Sequence, residues 1–191
     1  MSVAPIDYLL SRRSVKFVQA PAPSEDELAQ ILQAGMSAPD HGHLQPWRFA
    51  LIRGESIGRL ADLALGATKA AGLPLTAEKE ASTRRWLEKV PLLIALACRI
   101  DHSNTKIPER ERILATGAAV TQMLNAAHML GYGAYWSTGL GTYIDEVNEA
   151  LGFDGLDYRF MGYMALGTPI EAGAAPQRAD YRQFVGEWTG L

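Results

Sequence analysis

The sequence predicts an α+β fold in which helices surround a central sheet of four or five strands. Two stretches carry most of that expectation. Leu92 to Ile100 is a nearly continuous apolar run, long enough for a strand buried on both faces. Pro108 then opens a helix reaching to about Leu130, roughly 35 Å at 1.5 Å per residue. Its start is densely charged, whereas its middle (Ala115, Gly117, Ala118, Ala119, Val120, Leu124) is small and apolar nearly all round. A helix without a clear polar face is buried, in a core or against a partner. Small residues there let another backbone approach closely.

The remaining elements follow from local signals. Ala4 to Ser11 reads as a short helix, with Pro5 suited to its first turn. Ser24 and Glu27 have capping-box spacing, and Leu28, Ile31, Leu32 and Met36 recur at helical intervals. That helix has to end before Pro39, because the residue preceding a proline is pushed out of the helical region. Arg48 to Ile52 reads as a strand, Ser56 to Ala71 as a helix, and Thr76 as the cap of a helix to about Lys89. Gly133 to Thr138 is predicted as a strand, Thr142 as the cap of a helix to Leu151, and Phe160 to Leu166 as a last strand stopped by Gly167, Thr168 and Pro169. The tail from Ala172 to Leu191 is rich in Gly, Ala and Pro. It then carries Tyr181, Phe184, Val185 and Trp188, and aromatic residues at a chain end usually dock on something.

Composition bounds the function. A chain of 191 residues, 48% hydrophobic and 20% charged, forms one folded domain with a substantial core. A net charge of −3 without long runs of one sign disfavours nucleic acid and anionic membranes as partners. Cys98 is the only cysteine, which excludes an intramolecular disulfide framework and a multi-thiolate metal site. His41 and His43 lack a third ligand of suitable type nearby, so no metal is expected. The N-terminus lacks a secretory pattern and no apolar run could span a bilayer, so the expected location is the cytoplasm.

Three clusters carry possible chemistry. Arg12-Arg13-Ser14 joins two guanidiniums to a hydroxyl, a good phosphate clamp, although arginines at a helix end also simply complement its dipole. Ala38-Pro39-Asp40-His41, continuing to Gln45-Pro46-Trp47-Arg48-Phe49, places polar side chains between two prolines. Such a rigid loop suits the edge of a planar ligand, or serves as a structured connection with Trp47 buried. Gly131-Tyr132-Gly133-Ala134-Tyr135-Trp136-Ser137-Thr138-Gly139 joins the long helix to a strand; its glycines either admit a flat ligand or turn the chain. None of the glycines forms a dinucleotide-binding, P-loop or nucleophile-elbow pattern.

In this order the clusters closely resemble the nitroreductase family. Arg-Arg-Ser with Phe17 nearby, Ala-Pro before Gln-Pro-Trp-Arg-Phe, the Ala-rich helix ending in Gly-Tyr-Gly, and Gly-Tyr-Met-Ala-Leu-Gly-Thr-Pro near the C-terminus cover about Ile6 to Pro169. Asp40-His41 and the short length are similar to its minimal subgroup. The resemblance implies a three-layer fold with a mostly antiparallel sheet, in an intertwined homodimer holding two FMN at its interface. Activity would be transfer of hydride from NADH or NADPH through FMN to a small acceptor such as a nitroaromatic or quinone, with ping-pong kinetics. A flavin-storing or flavin-sensing protein, or other flavin chemistry, would use the same binding residues.

By that resemblance Arg12, Arg13 and Ser14 bind FMN, and Trp136, Ser137 and Thr138 lie beside its ring in the same subunit. Pro39, Asp40 and His41 form the loop that the partner lays against the flavin, and Ser37 takes a position where the subgroup can carry an FMN-contacting arginine. Lys16 and Arg13 are the candidate cations for the flavin's N1–C2=O edge. Ala126, Ala127, His128, Met129, Leu130 and Gly131 match a stretch linked with nicotinamide nucleotides. Arg178 and Arg182 are the basic residues available near the C-terminus for the phosphate. The tail from about 172 to 191 is expected to dock on the dimer.

Overall fold

The computed structural model describes residues 5–171, 173–174 and 176–190. Six helices and five strands are defined among them: α1 (Pro5–Ser11), β1 (Val18–Gln19), α2 (Glu25–Gly35), β2 (Trp47–Arg53), α3 (Glu55–Ala70), α4 (Ala77–Leu87), β3 (Leu92–Arg99), α5 (Glu109–Met129), β4 (Gly133–Ser137), α6 (Asp145–Ala150) and β5 (Tyr158–Pro169). Ala4, predicted as the start of the first helix, lies outside the described residues. No helix among the described residues is long and apolar enough to cross a membrane.

The apolar run at Leu92 becomes the strand around which both cores form. β3 lies between β2 and β5 in the order β1-β5-β3-β2, β4 also pairs with β5, and every pairing is antiparallel. Successive side chains of a strand point to opposite faces. Leu93, Ala95 and Ala97 therefore pack with Ile57, Leu60 and Ala64 of α3 and Val147 of α6. Leu92, Ile94 and Leu96 pack with Leu28 and Ile31 of α2 and Val120 and Met123 of α5. Helices on both faces of the sheet explain why the run shows no alternation, and each fully buried leucine or isoleucine contributes about 1.5–3 kcal/mol.

Two devices set the helices in place. Ser24 and Glu27 form the predicted capping box, and the same Glu27 carboxylate accepts a hydrogen bond from Tyr132 Oη at 2.7 Å, tying α2 to the end of α5. Thr76 caps α4 by accepting from Lys79 N at 3.1 Å. α5 buries one face (Ala115, Thr116, Ala119, Val120, Met123, Ala127), while its other face is partly open and leaves Leu114 70% exposed. Burial all round is thus not achieved within one chain.

The structure departs from the sequence expectation at the start of α6, in β5 and in the added strand β1. Thr142 does not cap α6: its Oγ1 donates back to Gly139 O at 2.5 Å, and α6 starts only at Asp145. The cause is a turn in which Leu140 and Gly141 take positive φ, so the chain is not yet aligned with the helix. β5 runs on through Gly167, Thr168 and Pro169, because Val18–Gln19 pairs with its end. That two-residue β1 is too short to carry a periodic signal. β5 also contains a bulge: Leu96 pairs with Gly162 and Ala97 with Phe160, leaving Met161 as the extra residue.

Candidate functional site

The chain between α1 and β1 runs beside β4, fixed by Val15 N donating to Ala134 O at 2.9 Å. This pairing brings Arg12-Arg13-Ser14 to Tyr135-Trp136-Ser137-Thr138. Gly133 permits the approach, since a Cβ there would lie 2.8 Å from Val18. The bulge sets the far end of β4. Trp136 Nε1 donates to the carbonyl of Met161, the bulge residue, at 2.7 Å, and Gly162 (φ 97°) lets Ser137 O approach within 2.2 Å of where a Cβ would stand.

The result is a groove of about 440 Å³ lined by Arg12, Ser14, Leu124, Tyr135, Trp136, Ser137, Thr138 and Gly139. Arg12 is half-buried, and neither it, Arg13 nor Arg178 has an ion pair among the described residues. Arg178 donates to the Arg12 carbonyl and Arg13 packs directly on the backbone of Gly173. His128 registers the same field. Burial, then the charges of Arg12 and Arg13, push its pKa below the ordinary histidine value. Its Nε2 lies 3.0 Å from Ser11 Oγ, and its ring meets Tyr8 edge-on. Arg12 and Ser14 face this groove together, a guanidinium beside a hydroxyl, which is a donor set suited to an anion.

The other predicted residues divide into groups. Arg13 and Lys16 line a second groove, of about 420 Å³, with Val15, Phe17, Lys89, Ile170, Glu171 and Gly173. The Lys16 ammonium stands 5.5 Å from the Phe17 ring centre and 5.7 Å from that of Trp86. Ala126 to Gly131 form the end of α5 and its exit turn, with Ala127 buried, Met129 exposed and Gly131 at positive φ. Arg182 pairs with Asp180 in the tail rather than joining Arg12.

Ser37, Pro39, Asp40 and His41 lie elsewhere, and none lines the groove of Arg12. Ser37 Oγ donates to Ala34 O at 2.7 Å, Asp40 accepts from Gln45 N at 2.6 Å, and His41 Nδ1 donates to the Glu111 carboxylate at 2.6 Å. The loop holds His43 and Gln45 in the left-handed region, φ 53° and 46°, at a cost of about 1 kcal/mol or more each. Glu111 and Leu124 are thirteen positions apart on α5, about 20 Å at the helical rise. The loop and the groove therefore occupy opposite ends of one helix.

Leu124, Tyr135 and Gly139 are groove residues that the sequence reading did not assign. Tyr135 and Gly139 fall inside the glycine-flanked cluster, whereas Leu124 reads as an ordinary core position of the long helix.

The profile of the nitroreductase family matches residues 9–168. The chain belongs to that family. The protein YdjA of Escherichia coli K12, named provisionally as an NAD(P)H nitroreductase, is 35% identical over 181 residues, covering 94% of this chain and 97% of its own. A Haemophilus influenzae protein named in the same way is 31% identical over 178 residues, covering 93% and 95%. Among solved structures, a nitroreductase-like family protein from Bacillus cereus superimposes with a TM-score of 0.81 at 23% identity, covering 100% of this chain and 98% of the other. The fold predicted from the sequence, an antiparallel sheet between helical layers, is thus the fold of the family.

Proposed function

We propose that this nitroreductase-family protein is an FMN-dependent NAD(P)H oxidoreductase that reduces small acceptors such as quinones or nitroaromatics by a ping-pong sequence. The observation that carries the reading is the groove that joins the uncompensated Arg12 and the Ser14 hydroxyl to the Trp136–Gly139 strand end. A phosphate at one end and a flat ring at the other match that donor set. A relative from Desulfovibrio desulfuricans, provisionally named a nitroreductase, has been solved in complex with FMN, at 24% identity and a TM-score of 0.74 over the full length of both chains.

FMN supplies the redox chemistry when bound: it accepts hydride and passes it on. The residues of this chain bind, orient and exclude water. Arg12 and Ser14 hold the phosphate, with Arg178 closing behind Arg12. Trp136 is locked by its bond to Met161 O and fixes the strand end against which the ring rests. Lys16 is the cation assigned to the electron-rich edge of the ring, where positive charge favours the reduced anion. The end of α5, Ala126 to Gly131, is assigned to the nicotinamide nucleotide.

The active unit in this reading is a homodimer. His41 and its loop lie about 20 Å along α5 from the groove of the same chain, so they reach a flavin only in a second copy. The open face of α5 with Leu114, the exposed Ile6, Leu9 and Leu10 of α1, and the exposed tail residues Tyr181, Phe184 and Trp188 are the surfaces such a partner covers. Steady-state oxidation of NADH and NADPH against varied quinone tests the proposal. Parallel double-reciprocal lines are expected, and absence of acceptor-dependent turnover by FMN-loaded protein would leave a storage or sensing role instead.

A further inference from the structure

A further cavity, of about 260 Å³, shares Thr138 and Gly139 with the groove assigned to the flavin. It lies between the α3–α4 connection and the turn after β4. Leu65, Leu73, Leu75 and Ile144 supply apolar walls, and Leu73 is 49% exposed at the mouth. No carboxylate lines it among the described residues. Its one cation is Lys79, on the first turn of α4, which has no ion pair among the described residues. The face of α4 that carries Lys79 also carries Thr83 one turn on, whose Oγ1 donates to the Lys79 carbonyl at 2.8 Å. Folding keeps this mouth in shape: Thr142 is buried and tied to Gly139 O, and Leu140 takes a positive φ.

An apolar cavity with a few convergent polar groups is the usual form of a small-molecule site. The cavity adjoins the groove assigned to the flavin at Thr138 and Gly139, close enough for an acceptor reacting in that groove to place a substituent in it. We infer that this cavity is the specificity subsite for the electron acceptor, and that it selects aromatic acids: the ring packs between Leu65, Leu73, Leu75 and Ile144, and the carboxylate meets Lys79. The inference rests on the flavin reading of the adjoining groove.

Para-nitrobenzoate and nitrobenzene, compared as acceptors with FMN-loaded protein, separate the charge from the ring. Lys79→Met is expected to raise KM for para-nitrobenzoate about three- to fivefold, modest because the ammonium is exposed, while KM for nitrobenzene stays put. Leu75→Trp, which fills the cavity, should raise KM for both acceptors and leave the rate of flavin reduction by NADH unchanged. Para-tert-butylbenzoate, an unreactive probe, should bind wild type by calorimetry, with or without FMN, and bind neither variant comparably. Equal effects of Lys79→Met on both nitro compounds, or tert-butylbenzoate binding untouched by Leu75→Trp, would overturn the inference. Wild type that binds tert-butylbenzoate at this cavity yet takes up no FMN would instead overturn the flavin reading, and with it the acceptor role, leaving an aromatic-acid binding cavity.

Discussion

Arg12 is the residue on which most of the account rests, and its side chain has no other evident task. Loss of a charge-assisted phosphate contact costs about 1.5–3 kcal/mol, so Arg12→Ala should weaken FMN binding roughly ten- to a hundredfold. Thermal stability of the flavin-free protein should change far less, because Arg12 donates no side-chain hydrogen bond among the described residues; fluorescence titration and melting curves read the two effects. His128 offers an independent check. Arg12 and Arg13 help to hold its pKa low. A phosphate bound to them offsets that field, so an NMR titration should place the His128 pKa higher with FMN than without. By linkage, FMN should then bind more tightly as pH falls through that range. An unmoved His128 would place the phosphate elsewhere. His41→Ala should lower FMN affinity or NADH turnover more than His43→Ala, since His41 is fixed to Glu111 while His43 only shapes the loop. The reverse order would show that the loop is misassigned. Arg12, Ser14 and Trp136 to Thr138, singled out in the sequence through the family resemblance, are brought to one groove by the fold. The partners of Ser37 and Asp40 were not legible in the sequence, since turns that fold side chains onto nearby backbone leave no periodic trace.

Elements were legible in proportion to their length. The buried β3 and the long α5 announce themselves through composition, whereas β1 exists only because β5 continues far enough to pair with it. Thr142 shows the limit of a local rule: a good capping residue two positions before the actual N-cap, Ile144, is drawn into the turn instead. The α2–α5 tie makes an element-scale prediction. The hydrogen bond from Tyr132, then the bonds from Ser24, hold the Glu27 carboxyl below its ordinary pKa. A depressed carboxyl stabilises the fold above its unfolded value, and that contribution is lost as pH falls through the folded value, where the unfolded chain already binds the proton. Tyr132→Phe should therefore flatten the acid-side fall of Tm measured by calorimetry. An unchanged profile would assign the shift to the cap alone. α5 makes the other: Leu114→Glu puts a charge on its open face, so light scattering should find monomer that keeps its secondary structure. A persistent dimer would move the interface off this face.

At the scale of the whole molecule, the family was readable from the order of the clusters rather than from any one of them. The fold explains why the order matters. β4 and the Arg12–Phe17 segment are brought side by side, while α5 separates the groove from the His41 loop by about 20 Å. What the sequence withheld is three-dimensional: the bulge that locks Trp136, the convergence of Arg178 on Arg12, and the side cavity at Leu73 and Lys79. Each depends on residues far apart in the chain. The central claim is that the groove of Arg12 and Trp136 holds a working flavin, and anaerobic titration of the purified, FMN-loaded protein with NADH or NADPH, followed by its absorption spectrum, tests it most directly. The account predicts a yellow protein carrying one FMN per chain that bleaches with a stoichiometric amount of nicotinamide nucleotide and regains its colour on adding quinone. A colourless protein that takes up no FMN, or a yellow one whose spectrum neither nucleotide alters, would contradict it.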